Sequence, residues 1–207
     1  MFRNFYEKHL QQYINSPFIN KIIIIDNNNS LKPNYDIFNN SKLKILNYGT
    51  NIFVGPSWNK GVENSEADIV CLLNDDIIVD NDIFKYISNI DFTDIDLIGN
   101  NHNSNSSDII LERLNHDKFR PLGEQCFGFG SCIFFKREKY KPIPDDYQIL
   151  FTDDYLVQNS KNVYTLSTDK IIGTMSNTLN VLHKNKQILE RISKDIYNGK
   201  NFLIKKL

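Results

Sequence analysis

Two pairs of adjacent aspartates, Asp75-Asp76 and Asp153-Asp154, are the residues of this chain best suited to chemistry. Neighbouring carboxylates repel each other, so each pair calls for a cation or several donors close by. Asp75 and Asp76 follow the apolar run Ile69-Val70-Cys71-Leu72-Leu73, with Asn74 between. A divalent metal bridging a phosphate would supply the missing positive charge there. A solvated turn accounts for the same three polar residues, since Asn and Asp are common turn formers. The second pair follows Thr152 and opens a helical pattern, where the helix dipole favours carboxylates and capping alone would explain them.

The elements that must position these residues are legible around them. The run before Asn74 is short, bounded and contains Ile and Val, which reads as a strand buried on both faces. Ile22-Ile23-Ile24-Ile25 repeats the pattern with Asp26 at its end, and Leu43–Leu46 makes a third strand. Strands of this kind belong to α/β sheets, which bind ligands at the carboxyl ends of their strands. Phe2, Phe5, Tyr6, Leu10, Tyr13 and Ile14 have helical spacing over 2–15, and Ser16-Pro17 ends that helix. A short helix is expected over 35–39. Pro56 suits a first helical turn that 57–65 continue, with an N-terminus able to face a phosphate, although taken by itself a plain strand-to-helix connection is the better reading.

Further on, 82–89 reads as a helix and Asp96–Gly99 as a strand. Residues Asn100–Asp108 are polar and repetitive, so a mobile loop is expected. Residues 109–114 suit a strand. Phe127–Lys136 joins a glycine-rich turn to another; Gly128 and Gly130 lack the third glycine and the strand-before-helix order of a dinucleotide fingerprint. Val163–Leu166 is a late strand, and 178–197 an amphipathic helix. The stretch from His183 to Leu207 is basic, which fits a solvated face or contact with a phosphorylated substrate.

At 207 residues the chain is long enough for one domain with a sizeable core. A net charge of -1 gives no footing for a general nucleic-acid binder. Cys71, Cys126 and Cys132 are odd in number and lack paired metal spacing, so a reducing compartment is expected. No apolar run reaches membrane-span length and no signal peptide opens the chain, which points to the cytoplasm. The excess of Asn, Lys and Ile suits an AT-rich genome, viral or bacterial; a viral protein would work in the host cytoplasm. The sequons at Asn28, Asn39 and Asn105 are then chance.

The segments "IIIIDNNNS", "NIFVGPSWNKGVENSEADIVCLLNDDIIVDNDIF", "GFGSCIFFKRE" and "FTDDYLV" occur in an order that resembles the inverting family 2 glycosyltransferases, rhamnosyltransferase-like branch. The resemblance implies a single GT-A domain over 1–207, Rossmann-like, with a mostly parallel central sheet flanked by helices. It implies donor contacts at Asp26, Asn59, Asn74 and Asp75, and a metal ligand at Asp76, the last position of a D-x-D-like motif. It implies that Asp153-Asp154 stands for a Glu-Asp pair at the acceptor face, with Asp154 as general base. Two departures stand out. The family's first strand is missing before Phe2, so the sheet is expected to lack it or to complete it from another chain. The family also places a metal-binding His after the late strand, where this chain has Gly173; His183 is the nearest substitute.

The expected activity is transfer of a sugar from a nucleotide-diphosphate donor to a glycan, lipid-linked or protein acceptor, assisted by Mn²⁺ or Mg²⁺, with homo-oligomerisation left open. A degenerate glycosyltransferase serving as a binding or assembly subunit is one alternative. A sugar-nucleotide nucleotidyltransferase is the other, although it usually carries a glycine- and basic-rich N-terminal loop that is not found here.

Overall fold

The structure is a computed structural model that describes residues 2–27, 36–102, 106–114, 128–173 and 186–204. Helix α1 (Phe2–Asn15) leads into β1 (Ile22–Ile25) and β2 (Leu43–Leu46), with a 3-10 turn at Asp36–Asn39 between them. Helix α2 (Val54–Glu63) precedes β3 (Ile69–Leu73), β4 (Ile77–Val79), α3 (Asn81–Ser88), β5 (Leu97–Asn101) and β6 (Ile110–Arg113). A 3-10 turn at Phe129–Ser131 feeds β7 (Cys132–Lys136), followed by α4 (Thr152–Gln158), β8 (Val163–Ser167), β9 (Ile171–Gly173) and α5 (Lys186–Ile204).

Five strands form the central sheet in the order β3-β7-β5-β8-β6. Strands β3, β5 and β8 point the same way; β7 runs against both β3 and β5, and β6 runs against β8. The carboxyl ends of β3 and β5 therefore share one edge, joined there by the amino end of β7. Strands β1 and β2 pair in parallel as a separate doublet, and β4 pairs with β9 antiparallel. Among the described residues no strand links β1 to β3 by hydrogen bonds. The four isoleucines of β1 are accordingly only half-buried, where the sequence suggests a fully buried strand.

Alternation along the strands fills two cores. Val70, Leu72, Leu97, Ile133 and Phe135 face Trp58, Val62, Leu156 and Val157 of α2 and α4. Cys132, Phe134, Ile98 and Leu166 face Ile83, Phe84 and Ile87 of α3. Strand β3 was expected to be buried on both faces; Val70 and Leu72 are buried, and Ile69, Cys71 and Leu73 on the other face are half-buried. Helix α1 joins the second core: the Val79 N–H donates to the Tyr13 hydroxyl across 2.9 Å, and the Tyr13 ring meets Phe84 edge-on at 5.7 Å.

Two expectations change and a third is only partly covered. Strand β5 continues through Asn101, so Asn100 is 1% exposed rather than part of a mobile loop. Helix α2 begins at Val54, with Pro56 inside its first turn; the Gly55 N–H donates to the Gln148 carbonyl at 2.9 Å, so this donor is not open to a phosphate. The described C-terminal helix starts at Lys186, and the expected start near 178 lies outside the described residues.

Candidate active site

The site is organised by the short loop Gly128–Ser131, which touches each group of polar residues at the sheet edge. Gly128 adopts φ 84°, a conformation that glycine reaches without a side-chain clash. Phe129 is fully buried, its ring lying where a side chain on Gly99 would otherwise stand. That ring fixes the loop to β5.

On one side the Ser131 carbonyl accepts from the Asn74 N–H at 3.0 Å, so the loop holds the turn that carries Asp75 and Asp76. Asp75 is exposed and Asp76 half-buried. The Ser131 hydroxyl lies 3.2 Å from the side-chain amide of Asn100, which also lies 3.3 Å from Nδ1 of His102. The His102 imidazole occupies a notch between two glycines. A methyl group on Gly128 would strike its ring, and one on Gly173 would stand 2.8 Å from its Cε1. Nε2 of His102 and Oδ1 of Asn100 are buried without a hydrogen-bond partner. Such orphaned atoms are rare in folded proteins and ask for an explanation.

On the other side the Gly130 N–H donates to Oδ2 of Asp153 at 3.1 Å. Asp153 and Asp154 lie in the first turn of α4, which begins at Thr152 after Phe151, whose φ of 63° is costly for a non-glycine residue. What stabilises that start is remote in sequence. Asp195 of α5 is fully buried and accepts the N–H groups of Gln148, Ile149 and Leu150 at 3.3, 2.7 and 2.9 Å. A single carboxylate thus gathers the segment that aims the aspartate pair.

No protein-family model matches the chain, and no curated protein does. Solved structures do. The chain is similar to HddC from Yersinia pseudotuberculosis, with a TM-score of 0.52 and 19% identity over 81% of this chain and 79% of that one. It is similar to S. aureus TarS 1-349, with a TM-score of 0.50 and 14% identity over 77% of this chain and 55% of that one. The shared property is the fold. It is an α/β fold of the Rossmann-like kind.

The electrostatics of the two aspartate pairs differ. Burial raises the Asp76 carboxyl above the usual range; Asp75 adds to the rise and His102 opposes it. Burial also lowers His102, against the pull of Asp76, so the two groups sense each other. Asp154 is pushed up to about 7 by burial and then by Asp153. Asp153 is raised by burial as well, but backbone N–H groups including that of Gly130 favour its charged form. The pair titrates as a unit.

Asp26 and Asn59 are held by contacts of their own. Asp26, at the end of β1, is 8% exposed and accepts from the Asn47 amide at 3.2 Å. Asn59 sits inside α2 with its amide committed to the protein: Oδ1 accepts from the Tyr140 hydroxyl at 2.7 Å and the Ile143 N–H at 2.9 Å, and Nδ2 donates to the Ile143 carbonyl at 2.8 Å. His183 and Cys126 lie outside the described residues. Among the described residues no three His, Cys, Asp or Glu side chains cluster as a metal site, and no helix is long and apolar enough to cross a membrane. Sequence reasoning passed over Asn100, His102 and Asp195. The first two carry a usable signal: they end an apolar strand, as Asn74 to Asp76 do.

Proposed function

We propose that the protein is a glycosyltransferase that moves a sugar from a nucleotide-diphosphate donor to an acceptor hydroxyl with inversion at the anomeric carbon. The observation that carries this reading is the loop Gly128–Ser131, which binds the Asp76 turn through Ser131 and the Asp153-Asp154 pair through Gly130. One short rigid segment thereby sets a phosphate-side carboxylate and an acceptor-side carboxylate at a sheet edge where α/β folds take ligands.

Asp154 is the base. A carboxyl held near 7 has the affinity for a proton that a general base needs at neutral pH. The acceptor O–H proton passes to its carboxylate as the oxygen forms its bond to the anomeric carbon from the face opposite the diphosphate. The bond between that carbon and the diphosphate oxygen breaks, and the nucleoside diphosphate departs with the electron pair. Asp153, held by backbone donors, orients the pair and is placed to accept from the acceptor. Asn74 and Asp75 are on the donor side of the loop, and Asp26 is at the end of β1 where the nucleobase would rest. Asn59 serves the donor site by fixing α2 to residues 140–143.

The residues fit a divalent cation: Asp76 is a half-buried carboxylate next to Asp75, raised by burial, and Nε2 of His102 and Oδ1 of Asn100 are buried without a hydrogen-bond partner. Asp76 would hold Mn²⁺ or Mg²⁺, which would supply positive charge to the departing diphosphate.

Calorimetric titration with uridine, guanosine, adenosine and thymidine diphosphates, with and without Mn²⁺, tests the reading. Metal-dependent binding of one of them, lost in Asp76→Ala with an unchanged thermal melt, is expected. Equal binding by wild type and Asp76→Ala would reduce Asp76 to a turn residue. No binding of any of the four would leave the degenerate, non-catalytic subunit.

A further inference from the structure

We propose that the cleft between α5 and residues 145–146 is a saccharide-binding subsite, which holds a sugar unit of the acceptor remote from the one that reacts. Its assignment to the acceptor rests on the glycosyltransferase reading above; the choice of a saccharide rests on the lining of the cleft itself.

The cleft follows from the spacing along α5. Arg191, Lys194, Asp195 and Asn198 recur at intervals of three and four and so share one face of the helix. Asp195 is the fully buried member and grips the N–H groups of Gln148, Ile149 and Leu150. The other three border a cleft of about 460 Å³ together with Asp145, Asp146 and Tyr197, a volume typical of small-molecule sites. The contacts across it use the backbone of the facing segment. Arg191 donates through Nη2 to the Asp145 carbonyl at 3.3 Å, and Asn198 through Nδ2 to the Asp146 carbonyl at 3.1 Å. Both walls are therefore tied together before a ligand arrives, which lowers the ordering cost of binding.

The charged ends of the lining are unspent. Two carboxylates and two cations border one cleft, yet among the described residues no ion pair joins either aspartate to Arg191 or Lys194. Nε of Arg191 is buried without a hydrogen-bond partner, an arrangement that costs free energy until an acceptor is supplied. Tyr197 is 70% exposed, a large ring standing beside these polar groups. A phosphate would meet the two aspartates, and a cationic ligand would meet Arg191 and Lys194. An apolar ligand would desolvate all four charges without replacing their hydrogen bonds. A neutral polyol meets none of these objections, because each hydroxyl can donate to a carboxylate and accept from a guanidinium or an ammonium. A sugar ring also carries a face of C–H groups. Tyr197 offers that face a wide, rigid, amphipathic surface at little cost in conformational entropy.

The position of the cleft sets which sugar it would hold. Asp146 stands eight positions before Asp154, a length of chain that spans at most about 29 Å. The segment between them is the one that Asp195 gathers and that leads into α4. A chain of sugars could thus present its reacting hydroxyl to Asp154 while a unit further along lies on Tyr197.

The test reads saccharide binding rather than turnover. Labelled wild type, Tyr197→Ala, Tyr197→Phe and Asp146→Ala are applied to a glycan array of bacterial, fungal and animal saccharides, and the glycans retained by wild type are titrated in solution by saturation-transfer NMR. Thermal melts establish that each variant folds. Loss of affinity by about tenfold or more is expected in Tyr197→Ala and Asp146→Ala, with binding kept in Tyr197→Phe, which retains the ring. Equal binding by wild type and both alanine variants would place the saccharide elsewhere and overturn the cleft. No glycan retained by wild type would overturn it as well. Inorganic phosphate that shifts the amide signals of Lys194 and Tyr197 where no glycan does would make the cleft an anion site instead. The nucleoside diphosphate titration of wild type judges the glycosyltransferase reading separately. Saccharide bound through Tyr197 by a protein that takes up no nucleotide would uphold the subsite and overturn its role in holding an acceptor.

Discussion

The Gly130 N–H and the Asp153 carboxylate meet at 3.1 Å, and this contact makes two chemically identical neighbours unequal. Burial raises both carboxyls, Asp154 to about 7 with Asp153 adding to the rise; at Asp153 backbone donors, the Gly130 N–H among them, oppose it.

This inequality has a thermodynamic signature. Asp154 holds its proton more tightly folded than unfolded, so its contribution to stability is full below about pH 4 and is lost as pH rises to about 7. Asp154→Asn removes that loss. Thermal melts across pH 4–9 are expected to show the variant more stable than wild type above pH 7, by on the order of 1–4 kcal/mol, with the difference vanishing towards pH 4. Parallel curves would mean that Asp154 carries no raised affinity for a proton.

The same substitution separates base from scaffold once a donor and an acceptor are known. Asp154→Asn is expected to reduce turnover by about 10²–10⁴ with donor affinity unchanged. Wild-type turnover is expected to rise with pH through about 7 as Asp154 ionises. Asp153→Asn should disturb the helix start and affect turnover less. Normal turnover in both variants would move the base elsewhere.

Gly130→Ala probes the loop. Its Cβ would stand 2.7 Å from Oδ2 of Asp153, and the carboxylate must shift to admit it. We expect a loss of about 1–3 kcal/mol in urea unfolding, together with a change in the pH profile, because Asp153 would no longer sit squarely on its donor. An unaltered profile would show that the contact does not tune the pair.

Asp195→Ala strands the N–H groups of Gln148, Ile149 and Leu150 in a partly buried place. At about 1–3 kcal/mol for each unsatisfied donor, partly relieved by entering water, a total of roughly 3 kcal/mol or more is expected from chemical denaturation. Hydrogen exchange should accelerate at 148–155 before the central strands. A loss below 1 kcal/mol would mean that the helix does not hold this segment.

Asn59→Ala distinguishes packing from nucleotide contact. Removing its bonds to Tyr140 and Ile143 should cost about 2–4 kcal/mol. Nucleoside diphosphate affinity, measured where the variant remains folded, should change little. A selective loss of affinity with full stability would restore a direct donor contact.

Most strands were legible because each is a short apolar run with polar residues at its borders; Ile22–Ile25, Leu43–Leu46 and Ile69–Leu73 appear at those positions. Helix α4 begins where the second Asp pair was read. What escaped was decided by contacts remote in sequence. Asn100 reads as the start of a polar loop, yet it is buried because Ser131, thirty-one positions later, meets its amide. Asp195 reads as one acid in a basic tail; its burial depends on three N–H groups more than forty residues earlier. Asn59 reads as a donor contact, and only the fold shows its amide engaged by residues 140–143. The pairing of β7 between β3 and β5, which puts the loop at the sheet edge, has no local signature at all.

The glycines at 99, 128, 130 and 173 have a consequence for how such a site can diversify. At each one, the place of a first side-chain carbon is already taken by Phe129, His102 or Asp153. Single substitutions at these positions can therefore only enlarge what has no room to grow, and a change at one calls for a simultaneous retreat by its neighbour. The centre is mutationally brittle, its accessible variants confined to concerted pairs. New ligand preference is left to arise at the periphery, where residues meet water and can be exchanged one at a time.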